Sequence, residues 1–212
     1  MKAHSFIYLI IYSCFIMSVS LQAQEHFADR YNVSYITMDD GLPHNFIDDI
    51  YKDTRGFLWI STAGGGLSRY DGYEFIHFNP NTPHSKLKSN FIHNVYEDRF
   101  HRLWIVSEGG TDIIDLSTLQ SVIPNDPKGL LPRFINHPTY IVILDSQGCI
   151  WLQCDNALHR ITFDAEGGID TLSTLDLPEQ DEPDLILKDI DEDGKIWTGI
   201  NGTVFRPKAD TQ

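Results

Sequence analysis

Beyond residue 30 the apolar positions fall in short runs rich in β-branched and aromatic side chains, bounded by Asp, Asn and Gly. Such runs predict β-strands. Asn45-Phe-Ile-Asp-Asp-Ile-Tyr51 and Asn90-Phe-Ile-His-Asn-Val-Tyr96 are nearly interchangeable; Tyr140-Ile-Val-Ile-Leu144 and Leu185-Ile-Leu187 are their later counterparts. After each comes one phrase: Asp, two residues, usually Gly, one residue, an aliphatic, then Trp. It reads Asp53, Gly56, Trp59; then Asp98, His101, Trp104; then Asp145, Gly148, Trp151; then Asp191, Gly194, Trp197. The four tryptophans are the only ones in the chain, and their spacing of about 46 residues is that of β-propeller blades.

Within each copy the Asp-x-x-Gly stretch is turn chemistry. Asp bonds its own backbone two residues on, and Gly supplies positive φ. His101 replaces Gly in the second copy and is expected to take the same conformation at some strain. The aliphatic-Trp pair opens a second strand, its indole wedged between blades. A loop of small or polar residues follows, then a third strand such as Leu67–Tyr70 or Leu158–Ile161. Asp71-Gly72 signals a two-residue hairpin into an outer strand over 73–78. The expectation is all-β: about four blades of four antiparallel strands, roughly 38–82, 83–130, 131–180 and an incomplete 181–212. Tyr31–Thr37 reads as an additional strand that could latch a closed four-bladed ring; the preferred alternative is a segment of a larger, seven-bladed propeller.

The first residues change the picture. Lys2, an apolar run from Phe6 to Met17 and Leu21-Gln-Ala-Gln24 read as a secretory signal peptide over 1–23, leaving 24–212 as the mature propeller. The run is shorter than the roughly 20 residues a spanning helix needs, and apolar residues continuing past Cys14 argue against a lipid-anchored cysteine. Acidic residues number 30 against 16 basic, a net charge of −14. That argues against nucleic acid or an anionic membrane as partner, since both demand a basic face. Cys149 and Cys154 share one predicted strand, where about 3.3 Å per residue separates them by roughly 16 Å. A disulfide needs Cα atoms within about 7 Å, so no bridge is expected.

The run Thr37-Met-Asp-Asp-Gly41-Leu42-Pro43-His44-Asn45, followed by Asp53 to Thr62 and by Gly66-Leu-Ser-Arg-Tyr-Asp-Gly72, resembles the two-component regulator propeller repeats. These form the periplasmic sensor region of hybrid two-component systems of gut Bacteroidetes. The resemblance covers essentially all of the mature chain and is strongest in the first two repeats. It implies a periplasmic, non-catalytic sensor of polysaccharide breakdown products. Family members continue into further repeats, an immunoglobulin-like domain, a membrane helix and a histidine kinase, none legible here, so a fragment is expected, with any kinase activity outside this chain.

Other motifs are weaker. Asp189-Ile-Asp-Glu-Asp-Gly194 matches the first half of a calcium loop, but Ile200 stands where the bidentate Glu belongs, so a repeat turn is the better reading. The nine histidines show no zinc spacing. No metal or cofactor is expected. The Asp-x-x-Gly-x-x-Trp phrase also resembles the Asp-box turns of sialidases, which are structural. A glycan hydrolase or lyase remains an alternative, needing two carboxylates about 5 to 10 Å apart, as does a stand-alone four-bladed interaction module. In a propeller the loops entering each inner strand and those joining second to third strands share one face. That places His44, Asn45, Thr62, Asn90, Glu108, Asp155, Asn156 and Asn201 together as candidate ligand contacts, suited to an oligosaccharide. Arg69, Arg160 and Arg206 recur at matching positions and read as interblade contacts. A homodimer through the propeller is the expected protein partnership.

Overall fold

The computed structural model describes residues 34–83, 86–133, 135–154, 157–176, 186–190, 196–200 and 203–205. The signal segment over 1–23, the turn residues Asp191 and Gly194, and Asp155, Asn156, Asn201 and Arg206 lie outside them. The sheets belong to the unit Thr37–Gln212. Sheet one runs β1 (Ile47–Lys52), β2 (Leu58–Thr62), β3 (Gly66–Tyr70), β4 (Phe75–Phe78); sheet two β5 (Ile92–Glu97), β6 (Arg102–Ser107), β7 (Gly110–Asp115). Sheet three runs β8 (Thr139–Leu144), β9 (Ile150–Cys154), β10 (Ala157–Phe163), β11 (Ile169–Asp176); sheet four β12 (Ile186–Ile190), β13 (Ile196–Ile200), β14 (Thr203–Phe205). Each is an antiparallel meander in chain order, the propeller-blade arrangement.

The side-chain period of two explains why the middle strands are apolar on both faces. In β6, Leu103 and Ile105 pack with Trp59, Leu67, Phe78 and Val95 of the first interblade core. Trp104 and Val106 point the other way, into a second core with Val142, Ile150, Leu152, Ile161 and Phe163. Both indoles are fully buried. No face of β6 is left to water, hence the unbroken Leu-Trp-Ile-Val run.

The Asp-to-Trp spacing has one cause in all three described copies. Asp53 accepts the backbone N–H of Arg55 at 3.0 Å and of Phe57 at 2.9 Å on one oxygen. Its other oxygen takes the Trp59 indole N–H at 2.9 Å. Asp98 does the same for Phe100, Arg102 and Trp104, and Asp145 for Gln147, Cys149 and Trp151. A buried carboxylate and a buried indole donor thus satisfy each other. Gly56 and Gly148 sit at φ 94° and 77°, and His101 takes the same left-handed turn at φ 58°.

Four features differ from the sequence reading. Asp71-Gly72 is not a two-residue hairpin: Asp71 captures the N–H groups of Tyr73 and Glu74, both at 2.8 Å, and β3 resumes pairing only at Tyr70 with Phe75. Sheet two has three strands. Its fourth is reduced to a bridge between Ile114 and Ser121. Pro124 and Pro127 follow; proline cannot donate to a ladder. The segment leaves for sheet three, where the Asn125 carbonyl accepts from Ile169 at 2.7 Å. Residues 34–37 of the expected latch join no strand, and Thr37 instead caps a 3-10 turn, Met38–Asp40. Arg69 and Arg160 make contacts within their own blade. Each lies opposite the blade's Trp across the ladder. Arg69 stacks on Phe57 at 4.3 Å, and Arg160 reaches Asp145 at 3.3 Å.

Candidate functional site on the loop face

The loops entering the inner strands and the loops joining second to third strands meet at one edge of the blades. Ala63, just past β2, donates to the Phe46 carbonyl at 3.1 Å and forms a bridge with Phe91 ahead of β5. Gly66 donates to the Asn90 carbonyl at 3.0 Å. One blade on, Glu108 donates to the Phe91 carbonyl at 3.3 Å and Thr111 to the Ile135 carbonyl at 3.1 Å. The Thr111 and Thr139 hydroxyls meet at 3.2 Å. Lys88 spans the same junction, its backbone N–H bonded to Asp112 at 2.9 Å and its ammonium 3.3 Å from the same carboxylate. Burial pushes the Asp112 carboxyl up, with Lys88 opposing the shift.

The glycines of the 64–66 turn are steric requirements. A Cβ on Gly65 would stand 2.3 Å from Thr62 Oγ1 and 2.8 Å from Pro43 Cβ, and Gly66 at φ 83° faces the Phe78 carbonyl. The turn therefore lies flat on its neighbours.

Beneath the loops, the inner strands are joined side by side. Each of β1, β5 and β8 carries a β-bulge near its start, at Asp48, His93 and Tyr140. Beyond the bulge Asp49 accepts the Val95 N–H at 3.2 Å. Asn94, its equivalent, binds both the carbonyl and the N–H of Val142, each at 3.0 Å. Burial raises the Asp49 carboxyl despite its backbone bonds. The Tyr51 and Tyr96 rings follow at 5.0 Å between centroids, and burial pushes the Tyr51 phenol up to about 12.

The opposite edge is tied as firmly. Glu97 accepts the Thr54 N–H and hydroxyl, both at 2.7 Å, and pairs with His101 at 2.8 Å. Burial opposes ionisation there, but these bonds prevail and hold the carboxyl below the usual range. Arg55 reaches the Leu116 carbonyl, and Arg102 the Gly167 carbonyl at 2.7 Å.

Of the candidate contacts, His44 and Asn45 are exposed on the loop before β1. The His44 Nδ1 accepts from Phe46 N–H at 3.0 Å, which leaves Nε2 as the outward donor. Asn45 Oδ1 accepts from Met38 N–H at 3.1 Å. Glu108 is exposed, Asn90 half-buried with no hydrogen bond to its side-chain oxygen, and Thr62 buried with its hydroxyl behind the Gly65 backbone. Sequence reasoning passed over Phe46 and Phe91, which stand exposed beside the Ala63 turn, and the joining residues Asp49 and Asn94. Their identical places in the first two repeats were the available signal. Cys149 and Cys154 are buried thiols. Among the described residues no group of three His, Cys, Asp or Glu could hold a metal ion, and no helix is long and apolar enough to cross a membrane.

Two segments, 41–64 and 86–109, match the model of the two component regulator propeller family. Among solved structures, the extracellular domain assigned to the hybrid two component system BT3049 of B. thetaiotaomicron superposes with a TM-score of 0.59 at 18% identity, over 84% of this chain and 30% of its own. The extracellular domain assigned to the one component system BT4673 of the same organism gives 0.53 at 26% identity, over 81% and 24%. Streptogramin B lyase gives 0.51 at 15% identity, over 81% and 57%, a likeness of fold alone. The chain spans less than a third of the two B. thetaiotaomicron domains. No curated relative is matched by the sequence. Repeats and blade topology agree that the chain is all-β and built of propeller blades, and two of its repeats match the two component regulator propeller model.

Proposed function

We propose that this chain is part of the extracytoplasmic sensor propeller of a two-component signalling protein, exported by its N-terminal leader into the periplasm. It does no catalysis; its loop face binds an oligosaccharide. The observation that carries the reading is the family match at 41–64 and 86–109, supported by the 26% identity to an extracellular domain of a sensor system. His44, Asn45, Asn90 and Glu108 supply hydrogen-bonding groups on that face, with Asp155, Asn156 and Asn201 as further candidates on the later loops. Binding would shift a propeller homodimer between two arrangements, which requires different affinity for the two.

The test is calorimetric titration of the purified chain with a panel of oligosaccharides, each incubated in parallel and analysed for cleavage. Saturable binding with the glycan recovered intact is expected. Cleavage of any glycan by the pure protein would replace this reading with a propeller hydrolase or lyase, and no binding to any member would end the oligosaccharide assignment.

A further inference from the structure

Phe46 and Phe91 are 64% and 51% exposed, although each sits at a loop position held by backbone hydrogen bonds on both sides. The Phe46 N–H is held by His44 and its carbonyl by Ala63; the Phe91 N–H is held by Ser89 Oγ at 3.0 Å and its carbonyl by Glu108. The two are equivalent residues of successive repeats, flanking one turn. Adjacent strands place paired Cα atoms about 5 Å apart, so the two phenyl-bearing positions lie roughly 10 Å apart across Ala63. Between them stand Ala63, Gly64 and Gly65, which carry nothing larger than a methyl group. Gly64 passes beneath the edge of the Phe91 ring, where a Cβ would come within 3.6 Å of two ring carbons. Two large apolar rings kept in water on a hydrogen-bonded loop face signal a binding surface.

We infer that Phe46 and Phe91 form a stacking platform for consecutive rings of a neutral oligosaccharide, which deepens the loop-face reading above and rests on it. Discrete phenyl faces separated by a bare turn suit the C–H faces of sugar rings. His44 Nε2 and the Asn90 amide beside them suit sugar hydroxyls. The neutrality of the ligand follows from charge. Asp40, Asp48 and Glu108 are exposed around the platform. Lys88, though exposed, is held by Asp112 and the Thr111 carbonyl, and Lys86 is the other exposed lysine among the described residues of the loop to β5. With a net charge of −14 on the chain, uronic or sulfated sugars would be repelled.

The test compares the chain with Phe46→Ala, Phe91→Ala and Phe91→Trp, titrated with neutral, uronate-containing and sulfated oligosaccharides, with circular dichroism checking the fold. A neutral oligosaccharide should bind, each alanine variant should weaken it about tenfold, and Phe91→Trp should keep or tighten it. Neutral binding unchanged in well-folded alanine variants would overturn the platform while leaving oligosaccharide sensing intact. A preference for anionic sugars would overturn the charge argument, and no binding by the parent chain would remove both this inference and the function on which it rests. Should one alanine variant misfold, the other decides: normal neutral binding in it, or loss of binding in a well-folded Phe91→Trp, would overturn the platform.

Discussion

Asp49 of one blade accepts the backbone N–H of Val95 in the next at 3.2 Å, and the equivalent Asn94 holds both polar groups of Val142. One position of the repeat thus joins neighbouring inner strands, and the amide does so more completely than the carboxylate.

Asp49→Asn should therefore stabilise the chain at pH 7 by about 0.5–1.5 kcal/mol, one net hydrogen bond, because the amide can also donate to the Val95 carbonyl. The folded-state carboxyl is raised, so its protonated form is favoured on folding. The parent gains stability as pH falls, and the variant's advantage should shrink in acid. Urea melts at pH 7 and pH 4.5 check this; a lower midpoint for the variant at pH 7 would sink the account.

Glu97→Gln should act in the opposite sense. The Glu97 carboxyl lies below its usual range in the folded state through bonds from Thr54 and His101. That stabilisation is complete above the unfolded-state value and fades as pH falls through the folded one. The variant should melt lower at neutral pH, and the gap should close in acid. Equal melts at pH 7 would show that Thr54 and His101 contribute nothing at this junction.

Trp59→Ala and Trp104→Ala should each cost about 3 to 5 kcal/mol, since both fill interblade cores and leave a buried carboxylate without its indole donor. Trp151, half-buried in the structure, should cost less. Chemical denaturation followed by circular dichroism would reveal whether that order holds.

Ile50 is 59% exposed, while its equivalents Val95 and Val142 are 2% and 0% exposed beneath the preceding blade. Among the described residues nothing covers the outer face of β1. This face invites self-association. Ile50→Asp should lower the weight-average mass in sedimentation without lowering the melting temperature. A parent chain that is already monomeric would show that this face is covered.

The blade, its turns and its Trp positions were legible because their causes are local. A carboxylate six residues before an indole closes the turn and caps the ring whatever surrounds it, so the phrase survives even where His101 stands in for Gly. The break in sheet two was written in Pro124 and Pro127, but its consequence was not, since the segment's new partner, Ile169, is 44 residues away from Asn125. Arg69 and Arg160 were placed between blades on recurrence alone. Recurrence marks a position in the blade but not the face it occupies, and the ladder sets each guanidinium over its own blade's turn.

The sequence by itself determined the period and the strand order within a blade, both carried by contacts between neighbouring strands of one repeat. Tertiary structure decided which residues join blades and which face water. Asp49 and Asp48 are adjacent acids in one strand, yet the bulge leaves one bonded to the next blade and the other exposed. Likewise Phe46 and Ile47 are adjacent apolar residues, of which the exposed one stands on the loop face because a strand begins between them. Exposure depends on the neighbour packed against each face, and that neighbour comes from another blade.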